Sequence, residues 1–224
     1  MNPNRAAWFF VAGVAWLVLR GILGRSVPGM HPAQVAEVGG FWLVIPLVSV
    51  VASLTIPLFF IVFLRSHDFT GQRWLLLATR VSVVTSVASS VLVLVSCVGV
   101  VGGPGSPAAF AMAAVPWLVE VVPIALVFSL VAFHLAFACQ CPCSSKLRRA
   151  AAAAAVGAAI PSGLMVVWMV HLRFPEAIPW WPEIARSAVM RMLGLAGAAA
   201  LVWFLESFAL RYGGDEPGSG VGAA

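Results

Sequence analysis

Residues 41–64 read FWLVIPLVSVVASLTIPLFFIVFL, a stretch without a single charged side chain. A helix needs about 20 residues to cross the hydrocarbon core of a bilayer, and this stretch is long enough. Lipid offers the backbone no hydrogen-bond partner, so a chain that crosses it must pair its own N–H and C=O groups as a helix. The stretch therefore predicts a transmembrane helix.

Apolar segments of similar length recur along the rest of the chain. They lie at residues 7–24, 74–101, 108–138, 150–172 and 186–210. The composition agrees, because 62% of the residues are hydrophobic and only 9% are charged, whereas about a quarter of a soluble domain is charged. We predict an all-α integral membrane protein: a six-transmembrane-helix bundle that forms a single domain over residues 1–211. The polar, glycine-rich tail 212–224 is predicted to be disordered.

Basic residues are unevenly divided between the two ends of these segments. Loops 65–73 and 139–149 and the two termini share one side, whose basic residues are Arg5, Arg65, Arg73, Lys146, Arg148, Arg149 and Arg211. Fewer lie on the other side, so the positive-inside rule predicts that the N- and C-termini are cytoplasmic. The first segment is long and has no A-x-A cleavage pattern after it, which favours a retained helix over a signal peptide. Arginine outnumbers lysine, as is typical of a GC-rich genome, and we expect a bacterial inner (plasma) membrane.

Four ionisable residues lie within the apolar segments: Arg80, Glu120, Arg191 and Glu206. Each would cost at least ~2.5 kcal/mol at the bilayer centre. With a rise of about 1.5 Å per residue, Arg80 and Glu206 lie at matching depths toward the cytoplasmic side. Glu120 and Arg191 match toward the outer side. The pattern predicts two ion pairs or one water-bridged polar network. The alternative for the shallower residues is that they extend to the interface.

Glu120 lies nearest the middle of its segment and is flanked by Pro116 and Pro123. Each proline removes a backbone donor and frees a carbonyl one turn earlier, so we expect a kink with free carbonyls close to a carboxylate. Such a spot suits a cation or a proton. The alternative is a structural ion pair at a kinked helix.

Cys139, Cys141 and Cys143 follow His134 at the cytoplasmic end of the fourth segment. Thiolates and an imidazole are ligands that zinc or copper(I) prefers, which makes these four residues a metal-site hypothesis. The alternative is a set of free thiols at the interface. No cofactor is strongly implied, because the histidines do not form the pair that a membrane haem would need.

Small residues concentrate in the last two segments. Alanines occupy every position from 150 to 155, and Gly157, Gly194 and Gly197 follow. Small side chains let helices approach closely in lipid. We therefore expect helices five and six to pack tightly, either on each other or on protein partners, including a homo-oligomer.

The sequence contains no catalytic motif and no basic stripe for nucleic acid, so we expect neither nucleic-acid binding nor, on balance, an enzyme. It favours a non-catalytic accessory or scaffold subunit of a larger membrane complex, with the lipid bilayer as its surroundings. The alternative is a small transporter or channel with a polar site around Glu120.

Overall fold

The computed structural model describes residues 2–23, 41–102, 107, 116–173 and 183–212, and these parts of the chain contain helices and no strand. The helices that it describes are α1 (Pro3–Leu23), α2 (Phe41–Ser66), α3 (Arg73–Gly102), α4 (Pro116–Gln140), α5 (Ser145–Arg173) and α6 (Glu183–Tyr212). The all-α class predicted from the sequence is confirmed. Residues 108–115, predicted to be helical, and nearly all of the predicted tail lie outside the described residues.

Within the described residues, four helices are long and apolar enough to cross a membrane. Their spans are Leu47–Ser66, Arg73–Val98, Val121–Gln140 and Met192–Arg211. α1 has a shorter apolar part, Pro3–Leu19. These spans support an integral membrane protein, while the expected total of six crossings and the side on which the termini lie stay predictions.

The described helices form a closed ring. Each packs against the next helix in the sequence, and α6 packs against α1. Two helices therefore separate α3 from α6 in either direction around the ring. We call one end of the ring the basic end: it carries the connections 67–72 and 141–144, between α2 and α3 and between α4 and α5, and the end of α6 at Arg211.

Phenylalanine side chains fill the centre of the arrangement of six described helices near the basic end. The even-numbered helices each carry two phenylalanines one turn apart, which places both rings on one face of the helix. These pairs and two further rings form what we call the phenylalanine cluster: Phe10, Phe59, Phe60, Phe63, Phe133, Phe137, Phe204 and Phe208, each at most 1% exposed. Phenyl groups from different helices contact one another at the centre. The ring centroids are 4.9 Å apart for Phe60 and Phe133 and 5.2 Å apart for Phe137 and Phe204.

Small residues bring α5 and α6 into close contact. Gly157 lies so near Gly197 that a Cβ added to Gly157 would be 2.9 Å from the Gly197 Cα, and a Cβ on Gly197 would overlap the Gly157 carbonyl oxygen. The tight packing predicted for these two helices is confirmed, and of the two predicted arrangements they pack on each other. Around these glycines, the small-residue surface is therefore used inside the chain.

Side-chain hydrogen bonds order the connections at the basic end. Asp68 Oδ1 accepts hydrogen bonds from the Thr70 N–H (3.0 Å) and hydroxyl (2.6 Å), and these hold the pKa of the Asp68 carboxyl below its ordinary value. Gly71 adopts φ +75°, a conformation that glycine tolerates best. At the start of α3, the Leu75 N–H donates to Gln140 Oε1 at 2.9 Å. This last bond fixes the start of α3 level with the end of α4.

Gly197→Ala should destabilise the fold, because the added methyl group would overlap the α5 backbone. Overpacking of this kind typically costs about 1–3 kcal/mol. Gly194→Ala on the same helix is the matched control, because nothing lies within 4 Å of a Cβ at that position. Thermal unfolding of the two variants in the same detergent measures the difference. Equal stability would contradict the close crossing of α5 and α6.

Phe133→Ala should also destabilise the fold, because the Phe133 side chain is 0% exposed at the centre of the phenylalanine cluster. Removing a buried Phe side chain typically costs about 3–5 kcal/mol. Phe128→Ala, five residues earlier in α4, is the control, since Phe128 is 54% exposed. A loss of stability as large for Phe128→Ala as for Phe133→Ala would argue against this packing.

Candidate functional site

The charged side chains that the structure describes within the apolar spans face outward. Arg80 lies on the exposed side of α3 beside Leu77 and Val84, which are 52% and 68% exposed. Glu206 lies on the exposed side of α6, one turn from Leu210, which is 64% exposed. Because the phenylalanine cluster fills the centre of the ring at this end, an exposed side chain here lies on the outer surface.

The described residues show no direct pairing of Arg80 with Glu206 inside one chain. The two residues lie on α3 and α6, which are separated by two helices around the ring. An ion pair within one chain would require facing surfaces as well as similar depths. The helix face is set by the neighbours that are buried: Thr79 and Ser82 turn inward around Arg80, and Leu205 and Phe208 do so around Glu206.

Glu120 and Arg191 belong to α4 and α6, but their side chains lie outside the described part of the structure. α5 lies between these helices in the ring. Their predicted ion pair stays a prediction, as does the polar site around Glu120. Pro123 lies inside the continuous helix α4, three residues after Glu120. Because proline has no backbone N–H, the helix lacks one hydrogen-bond donor at this position, as the sequence predicts.

His134 is buried beside the phenylalanine cluster. Its side chain is 2% exposed, and its ring lies edge-on to Phe204 with the centroids 4.8 Å apart. Nδ1 is 2.6 Å from the Leu130 carbonyl oxygen, and since a carbonyl can only accept, Nδ1 carries the proton. Nε2 is buried and has no hydrogen-bond partner. The imidazole is thus held by one backbone hydrogen bond and by aromatic contacts.

The structure does not bring the four predicted metal ligands together. Cys139 is exposed and Cys141 is buried, while Cys143 is half-buried and His134 turns toward α6. The described residues contain no group of three or more His, Cys, Asp or Glu side chains arranged to hold a metal ion. α4 ends at Gln140, between the exposed Cys139 and the buried Cys141, so these two thiols lie in different surroundings.

The environment of Cys141 keeps its thiol protonated. Burial raises the pKa of Cys141 to about 12, and the neighbouring Cys143 thiol contributes to the rise, while Arg211 and Arg148 oppose it. Since the thiolate is the reactive form of cysteine, we expect Cys141 to react slowly near neutral pH.

A column of buried hydroxyl groups, not among the sequence predictions, runs along α3. Thr79, Ser82, Ser86 and Ser90 share one face of the helix and are at most 4% exposed. Their spacing of three or four residues is the helical period and was visible in the sequence. We call these four side chains the hydroxyl column.

The hydroxyl column joins α3 to the helices on both of its sides. Ser90 Oγ donates to the Ser53 carbonyl oxygen of α2 at 2.9 Å, and Ser82 Oγ donates to the Ser129 carbonyl oxygen of α4 at 3.1 Å. Hydrogen bonds between membrane helices contribute about 0.6 kcal/mol each on average. With these acceptors in place, the column binds helices to one another.

Comparison of the chain with known protein families, with curated proteins and with solved structures finds no match in any of the three. The site is therefore interpreted from its own geometry.

The cysteines should differ sharply in reactivity. We expect N-ethylmaleimide, at about pH 8, close to the ordinary pKa of a thiol, to label Cys139 readily and Cys141 at least ten times more slowly. The reason is that Cys141 is buried and its pKa is raised to about 12. Labelling in mild detergent, read by mass spectrometry of peptides, measures both rates; after denaturation the rates should converge. Equal rates in the folded protein would contradict the buried position of Cys141.

Proposed function

We propose that this protein is a non-catalytic accessory or scaffold subunit of a larger membrane complex. The observation that carries the proposal is the outward position of Arg80 and Glu206 on the exposed faces of α3 and α6. A protein that moves ions or polar solutes needs its charged groups inside, along the path. A subunit that binds neighbouring chains needs its polar contacts on its outer surface.

The energetic cost of these charges supports a partner chain. Ionisable groups within a membrane normally face a protein interior or a water-filled cavity, because exposure to lipid is costly. Arg80 can reach toward the headgroups along its long side chain, but the shorter Glu206 side chain has less reach. A protein partner with complementary polar groups would relieve the cost for both residues.

The packed centre of the helix bundle also supports the subunit function. The phenylalanine cluster closes it near the basic end, with rings from α2, α4 and α6 in contact. A closed apolar centre suits a subunit that acts through its outer surface. We further propose that the basic end faces the cytoplasm, since that end carries most of the basic residues, and that the membrane is the bacterial inner membrane.

The second proposed function is transport, and the hydroxyl column favours it. Its buried hydroxyl groups extend from the phenylalanine cluster away from the basic end. Glu120 of α4 lies farther along the same direction, nine residues beyond Ser129, or about 13.5 Å. A polar path from Glu120 to the column would need the phenylalanine cluster to open.

Purification should distinguish the two functions. In mild detergent or native lipid discs, we expect the tagged protein to elute with additional copies or other chains. Reconstituted alone in vesicles, it should give no ion or proton flux above that of empty vesicles. Native mass spectrometry and a fluorescence-based flux assay are the measurements, with Glu120→Gln as the companion variant. A monomer that carries a flux abolished by Glu120→Gln would replace the subunit function by transport.

A further inference from the structure

Arg80 and Glu206 give two outer surfaces of one molecule opposite charges. They carry opposite charges, and both are exposed. α3 and α6, which carry them, occupy opposite positions in the ring of helices. One molecule therefore presents a positive group on one outer side and a negative group on the opposite one.

The two charges lie at similar distances from the basic end, as two hydrogen bonds there indicate. The Leu75 N–H of α3 donates to Gln140 Oε1 at 2.9 Å, and the Arg211 guanidinium of α6 donates to the Pro142 carbonyl oxygen at 3.5 Å. Leu75 and Arg211 therefore both lie within side-chain reach of the end of α4. Arg80 lies five residues into α3 from Leu75, and Glu206 lies five residues into α6 from Arg211. Each charge is thus about 7.5 Å along its helix from a residue near this end.

The described side chains beside the two charges are mostly apolar. On α3 the exposed side chains include Val84, Val87 and Val91, and on α6 they include Met192, Leu195 and Trp203. Within the described residues, each apolar stripe therefore carries one charge inside its span, Arg80 or Glu206, while Arg73 and Arg211 lie at the span ends. An ion pair between two such stripes would fix both the depth and the orientation of contact.

We propose that copies of this chain associate side by side in the membrane, with Arg80 of one copy paired to Glu206 of the next. The proposal rests on the subunit function above and names the partner as a second copy of the chain. A two-fold symmetric contact through α3 would oppose Arg80 to Arg80, and one through α6 would oppose Glu206 to Glu206, so like charges exclude both. Since the two surfaces lie on opposite sides, the contact is head-to-tail and produces a row.

Pairing between copies explains why the charges are left unpaired within one copy. An ion pair removes much of the cost of a charge in lipid, because each group supplies the other's missing partner. A heterologous contact needs the two groups on different surfaces of the molecule, and a contact inside one chain would leave neither available.

Charge reversal tests the row directly. Arg80→Glu makes both surfaces acidic, and Glu206→Arg makes both basic, so each variant alone should lose self-association at least tenfold. Mixed one to one, the two variants should associate again, because every contact then joins an acidic surface to a basic one. Energy transfer between differently labelled copies in vesicles, at a fixed protein-to-lipid ratio, measures all three cases.

Arg149→Glu is the matched control. It reverses an exposed arginine of α5, a helix outside the proposed contact between α3 and α6, and should leave association unchanged. Unfolding temperatures in detergent check that each variant is folded. Restored association in the mixture also requires folded variants, so it supports the proposal even if one variant alone is less stable.

The possible outcomes separate this proposal from the subunit function. Unchanged association of Arg80→Glu, or no association in the mixture of reversed variants, would overturn the row. A wild-type protein that stays monomeric in vesicles, yet elutes with other chains when purified from its membrane, would overturn the row and keep the subunit function. A protein that stays monomeric in vesicles and purifies without any other chain would overturn both the row and the subunit function.

Discussion

Contact among the phenylalanine rings of α2, α4 and α6 is the interaction on which the rest of the structure depends. In lipid, moving an apolar side chain from the bilayer into the protein gains little, because both surroundings are apolar. Stability must come from close packing and from ring geometry, and edge-to-face pairs contribute about 0.5–1.5 kcal/mol each beyond area burial. Phe63 shows the arrangement, with its ring perpendicular to Phe133 at 5.5 Å and edge-on to Phe208 at 5.8 Å.

Small side chains of α1 and α5 complement these rings. α1 buries Ala6 and Ala7 beside the phenylalanine cluster, and α5 buries Ala150, Ala151 and Ala154 there. Since interiors are close-packed, small residues on these two helices leave room for the large rings of α2, α4 and α6. Farther from the basic end, where the cluster ends, Gly157 and Gly197 bring α5 and α6 together and hydroxyl hydrogen bonds link α3 to its neighbours.

Much of this fold was predictable from the sequence, because hydrophobic length determines where helices lie in lipid. The segment predicted at 74–101 is a helix at Arg73–Gly102, and the segment predicted at 150–172 lies within Ser145–Arg173. A depth can also be predicted, since each residue adds a fixed rise. The face is harder to predict: one residue turns a helix by about 100°, and around Arg80 both sides of α3 carry mainly apolar side chains or hydroxyl groups. The position of Arg80 in the sequence therefore predicts a depth but does not show which side of the bundle its side chain faces.

The cysteine site illustrates a different limit. Spacing along the chain placed Cys139, Cys141 and Cys143 within five residues of one another, close enough for shared coordination. The helix ends between the first and second of them, and beyond a helix end the direction of a side chain follows the local turn instead of the helical period. Cys141 then packs with the phenylalanine cluster while Cys139 stays exposed. The hydroxyl column does repeat at the helical period, but serine and threonine are common in membrane helices, so this spacing alone does not indicate a site.

A closed ring with a packed centre leaves its outer surface as the place where polar contacts with other molecules can form. Helix packing consumes the inner faces, and the phenylalanine cluster fills the space between them near the basic end. A charged side chain in that half must either reach the headgroups or meet another chain, because the packed phenylalanine rings leave it no polar partner in the interior. Arg80 and Glu206 are both in this position, at similar distances from the basic end and with opposite sign. One contact between copies that pairs the two charges would cost less free energy than exposing each charge separately to lipid.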